Sequence, residues 1–153
     1  MTDAPRYFHG GVPGLNVGDW IVPHPPRVHP GCAECEARAK GRQIRMPDGR
    51  LSEPPTRHPD RAYLSTDKDY ARWYASRGWL GDLYRVRPEG DVAESEEDPF
   101  PTFTAAAAVI VQVVDRSVRL TDKDRRRRDR RWKCMEDADR RAGLGIPRQA
   151  GRW

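Results

Sequence analysis

Short apolar runs alternate with polar stretches rich in glycine and proline, so the chain reads as several brief strands and few helices. Residues 6–9 form a strand closed by Gly10-Gly11, and residues 19–22 a second, with the turn-rich Val12-Pro13-Gly14-Leu15-Asn16 between them. That pattern puts His9 at a strand end. Residues 61–65 are strand-like, and Thr66 or Asp67 can cap a helix running to about Ser76, because a side-chain oxygen there accepts bonds from otherwise unpaired amides. On that helix Tyr70, Trp73 and Tyr74 share a face, as core aromatics commonly do. Residues 82–87 form the next strand, bounded by Gly81 and Pro88. An acidic loop, 89–101, then leads to residues 104–114, whose alanine and β-branched side chains suit one buried strand. A short strand at 117–119 completes the sheet, and Thr121 caps a last helix that runs to about Arg141 and ends at Gly143.

One segment resists this scheme. Residues 23–60 hold most of the prolines, three of the four histidines and two of the three cysteines, with a short helix at 34–40 as their only regular element. They read as a proline-rich insertion in a single domain spanning 1–120, followed by a basic helix and tail, 121–153. With 37% hydrophobic and 33% charged residues among 153, the chain lies at the polar end of globular composition, so a compact centre with loose ends is expected. The opening residues lack an apolar signal core, and the longest apolar run, 105–111, is too short to cross a bilayer. The expectation is a cytoplasmic protein with no membrane partner.

The net charge of +5 is unevenly distributed: residues 116–153 hold 14 of the 28 basic and 6 of the 23 acidic side chains. The tail is therefore strongly basic and the body mildly acidic. Arg125-Arg126-Arg127-Arg128 and Arg130-Arg131, followed by Trp132, can contact phosphates or stack on a base; equally, their interleaved aspartates suit a solvated, salt-bridged helix. Cys32 and Cys35 form a C-x-x-C pair with His29 and His58 as further candidates, and His24 nearby, for a structural zinc site. One such pair is half a site, and solvated thiols are the plainer reading.

Four separated motifs carry the chemistry: Tyr7-Phe8-His9-Gly10-Gly11; Tyr63-Leu64-Ser65-Thr66-Asp67; Tyr74, eleven positions after Tyr63; and Glu96-Glu97-Asp98-Pro99. In order and spacing they resemble the ADP-ribosyltransferases of the His-Tyr-acid type, both the diphtheria-toxin-like branch and, more closely, the rifamycin ADP-ribosyltransferases. The resemblance covers roughly residues 6–22 and 61–119. It implies an α+β fold of split antiparallel β-sheets around an NAD cleft, with NAD as co-substrate. It also implies roles: His9 orients the ribose, the Gly10 backbone meets the nicotinamide carboxamide, Tyr63 and Tyr74 hold the nicotinamide ring, and Asp98 stabilises the cation formed on the sugar. Glu94, Glu96 and Glu97 stay open as alternatives to Asp98. A glutamate that the toxin-like branch carries on its later strand is missing here, so an inactive NAD-binding relative is a further alternative. The rival from another class is a nucleic-acid-binding module built on the basic helix. For the enzyme, the acceptor of ADP-ribose stays open among a small molecule, a protein and a nucleic acid.

Overall fold

The computed structural model describes residues 3–26, 28–77 and 80–143. The strands are β1 (Tyr7–Gly11), β2 (Trp20–Ile21), β3 (Ala62–Ser65), β4 (Asp82–Glu89), β5 (Ala93–Ser95), β6 (Thr102–Ala105) and β7 (Ala107–Asp115); the helices are α1 (Ala33–Ala39), α2 (Lys68–Ser76) and α3 (Asp122–Arg141). All strand pairs are antiparallel, in the order β2-β7-β4-β1-β3-β6-β5. The class is α+β, as expected, and the strands join in one antiparallel sheet whose two parts meet at β1 and β3. The junction is narrow: β1 follows β4 over five register pairs, from Tyr7↔Val86 to Gly11↔Asp82, yet meets β3 only at Phe8↔Ser65.

Side-chain alternation on β4 divides the core. Tyr84 and Val86 pack on one face with Ile21, Leu64, Ala108 and Ile110, while Leu83 packs on the other with Ala71 and Ala75 of α2. Helix α2 lies directly on β1, and Gly10 makes that possible: a Cβ there would stand 2.0 Å from the Ala71 carbonyl oxygen and 2.6 Å from the Ala75 nitrogen. A third cluster is aromatic, with Tyr70 and Trp73 of α2, Phe100 and Trp132 of α3. It supplies the apolar packing that α3 lacks elsewhere. Asp67 caps α2 through Tyr70 N, and Thr121 caps α3 in a reciprocal box with Asp124.

Three sequence expectations change. His9 lies inside β1, which runs on through both glycines to Gly11, rather than at its end. The single strand expected at 104–114 is two, because Ala106 bends and carries the chain from the β3 side of the sheet to the β4 side. Ala105 and Ala108 are fully buried at this crossing, so small side chains are what the site requires, and a run of alanines carries no turn signal. The strand expected at 117–119 is a turn: Ser117 adopts φ 46°, and its amide donates to Asp82 Oδ1 at 2.8 Å.

The proline-rich insertion is organised by polar contacts. Cys32 caps α1, its sulfur accepting from Cys35 N at 3.2 Å. Buried Ser52 accepts from Ile44 N, and Glu53 pairs with Arg38 of α1 and with Arg77, which follows α2. Among the described residues no three His, Cys, Asp or Glu side chains gather as metal ligands around Cys32, Cys35, His29 and His58 or elsewhere. No helix of the described residues is long and apolar enough to cross a membrane. The end of the basic tail, 144–153, lies outside the described residues.

Candidate active site

Where β1 and β3 part, the structure holds a cleft of about 210 Å³. The junction geometry accounts for its position. The two strands share one register pair, and next to it a side chain bridges them: His9 Nδ1 lies 2.9 Å from the Tyr63 carbonyl oxygen. A carbonyl can only accept, so Nδ1 carries the proton and Nε2 of the neutral ring is an acceptor. Burial lowers the His9 pKa against the opposing effect of that bond, which keeps the ring neutral. The ring lies over Gly11, where a Cβ would come within 2.5 Å of Nε2. Both glycines after His9 are thus explained by packing, one under α2 and one under the imidazole, without a ligand.

His9, Gly10, Tyr63, Tyr74 and Asp98, the five residues singled out in the sequence, all line this cleft. They come from β1, β3, α2 and the loop after β5. Tyr63 is fixed at both edges of its hydroxyl: it accepts from His58 N at 3.1 Å and donates to Glu97 Oε2 at 2.5 Å. Partial burial and the Glu97 carboxylate both raise its pKa, so it stays a neutral phenol. Glu97 also accepts from Ser95 Oγ at 3.0 Å and Arg57 N at 2.8 Å. Of the acidic alternatives, it is therefore the one that holds a ring in place. Tyr74, 42% exposed, stands with an edge against Tyr70 and the Arg77 guanidinium 5.1 Å over its ring.

Asp98 differs from Glu97. Burial raises its pKa, with the neighbouring Glu97 charge adding to the effect, against a lowering by Tyr70 and Arg77. A partly buried carboxyl next to a second carboxylate is costly in its charged form, and a cation arriving in the cleft would relieve that cost. Sequence reasoning missed three parts of the site. Glu53, Pro54, Pro55 and Thr56 bring the end of the insertion in as a wall, which only the fold reveals. Tyr70, assigned to the core by its helical spacing, lines the cleft as well. Phe8 and Thr102 complete the floor, on strands whose pairing the local pattern does not specify.

The basic helix is divided by its contacts. Arg131 pairs with Asp67, Arg127 with Asp69, and the Arg128 guanidinium lies 5.3 Å over the Trp73 ring, so these three hold α3 to the body. Arg126, Arg130 and Lys133 stand exposed on the side away from buried Trp132.

The sequence matches no protein-family model and no curated protein.

Proposed function

We propose that the protein is an NAD-dependent ADP-ribosyltransferase acting at this cleft. The supporting observation is the convergence of His9, Gly10, Tyr63, Tyr74 and Asp98, drawn from four distant segments, on one cavity. In this reading Tyr63 and Tyr74 hold the nicotinamide ring by their faces, and His9 Nε2 accepts from a ribose hydroxyl. The bond from ribose C1′ to the nicotinamide nitrogen breaks with its electron pair leaving on nicotinamide. The cation left on the sugar is an oxocarbenium ion, as in glycoside cleavage, and Asp98 stabilises it. An acceptor nucleophile then bonds to C1′ and loses a proton. The wall from Glu53 to Thr56 borders the same space and is the natural side for that acceptor.

Release of nicotinamide from NAD by the purified protein tests the reading. Wild type is expected to release it and Asp98→Asn to lose about two orders of magnitude in rate, the scale of removing one preorganised electrostatic group. No release and no binding of NAD by folded wild type would overturn it. A second reading, contact with nucleic acid, draws on the exposed row Arg126, Arg130 and Lys133. It would be supported by RNA or DNA binding that weakens with salt and survives Tyr63→Ala.

A further inference from the structure

The insertion sets two thiols in one turn of chain, residues 32–35. Cys32 and Cys35 are both half-buried and unbridged. The Cys35 amide donates to Cys32 Sγ at 3.2 Å, and the Cys35 thiol donates to the same sulfur. The two sulfurs are therefore hydrogen-bonded neighbours, the placement a disulfide needs before it closes. The turn is itself anchored. Glu34, between the cysteines, accepts from Glu53 N at 3.2 Å and pairs with Arg38 at 3.7 Å, and Arg38 pairs with Glu53 at 2.7 Å. On the other side the His29 carbonyl accepts from Cys32 N at 3.0 Å. Two thiols held in this way meet at high effective concentration, so a bond between them costs little further ordering. Hydrogen bonds to a sulfur stabilise its thiolate, and both donors point at Cys32. Its pKa is lowered, the bond from the Cys35 thiol contributing most, and the same bond raises Cys35. The pair has one nucleophile and one sulfur that keeps its proton.

We propose that Cys32 and Cys35 are a redox-active dithiol that exchanges with small disulfides of the glutathione type. The Cys32 thiolate attacks one sulfur of the disulfide; that S–S bond breaks, and one half leaves as a thiolate and takes up a proton. Cys32 is then joined to the other half. With the charge on Cys32 consumed, the effect that raised the Cys35 thiol is gone, so Cys35 gives up its proton and attacks Cys32 Sγ. The second half leaves as a thiolate and is protonated. Two cysteine thiols are oxidised to one internal disulfide, and the small disulfide is reduced to two thiols. Neither cysteine lines the cleft, so the site stands apart from the NAD reading.

The full chain, freshly reduced, is treated with oxidised glutathione, quenched in acid and alkylated, and its tryptic peptides are weighed. Residues 28–38 carry both thiols in one peptide, and residues 134–140 carry Cys134, an exposed thiol that serves as comparison. Wild type is expected to give the 28–38 peptide unalkylated, lighter by two hydrogens and free of glutathione, while Cys134 is alkylated or carries glutathione. Cys35→Ser should stop at a glutathione adduct on Cys32. In Cys32→Ser, Cys35 should take up glutathione about threefold more slowly than that or worse, because it lacks the lowered pKa. A wild-type pair that stays alkylatable in excess oxidised glutathione would overturn the proposal, as would adducts that never resolve to the internal disulfide. Equal uptake by the two variants would overturn Cys32 as the attacking sulfur.

Discussion

Two aspartates, Asp82 at the start of β4 and Asp98 in the cleft, show opposite ways of placing a carboxylate. Asp82 is 1% exposed and fully engaged: Gly14 N and Ser117 N donate to it at 2.8 Å each, Arg116 at 2.6 Å, and the Tyr84 hydroxyl lies 3.2 Å away. Burial pushes its pKa up, but these donors outweigh burial and the net shift is downward. Asp98 has burial and a like charge against it, and its pKa is raised. A carboxylate whose lone pairs are used by the backbone holds the fold together; one set among groups that raise its energy is poised for a cation or a proton donor from outside. The first ties the loop after β1 to the turn after β7. The second lines the cleft, where the Tyr70 hydroxyl and Arg77 only partly offset the burial that raises it.

The contrast can be broken from the Asp82 side first. Asp82→Ala leaves two backbone amides and a guanidinium without their acceptor and should cost about 3 kcal/mol, read by urea denaturation at pH 7. The deficit should shrink in acid: a carboxyl with a lowered folded pKa stabilises above its unfolded value and loses that contribution as pH falls through the folded one. A loss under about 1 kcal/mol would mean that the loop and turn hold without it.

Tyr63→Phe comes next. It removes the bonds to Glu97 and from His58 N, one of them to a charged group, and should cost about 2 kcal/mol while keeping the ring. If stability were unchanged, the hydroxyl would be dispensable to the cleft wall.

The smallest effect has the opposite sign. A folded pKa above the ordinary 3.8 means that the unfolded chain ionises first as pH rises, so Asp98 draws the balance toward unfolding above that pH. Asp98→Asn should therefore melt above wild type at pH 7, with the gap closing as pH falls toward 4. A lower melting temperature at neutral pH would place Asp98 with Asp82 as a structural group.

Much of this was legible in the sequence because it is local. The Asp67 cap and the eleven-residue spacing of Tyr63 and Tyr74 lie within one strand-helix unit, where periodicity carries the information. What escaped depends on distant pairing. Nothing near Ala106 says that β6 and β7 belong to different halves of the sheet, and a positive φ at Ser117 has no glycine to mark it. Tyr70 has the same helical spacing whether its ring meets solvent, core or cleft, so its place in the cleft lining is set only by the fold. Gly10 was readable as a glycine of consequence, though the backbone that approaches it is that of α2.

Every role proposed for the cleft between β1, β3 and α2 depends on its being a nicotinamide site. Titration of NAD into the full chain by calorimetry, for wild type and for Tyr63→Ala with Tyr74→Ala, tests that directly. One molecule bound per chain by wild type, and none by the folded double variant, is the expected result; equal binding by both, or no binding by either, would contradict it.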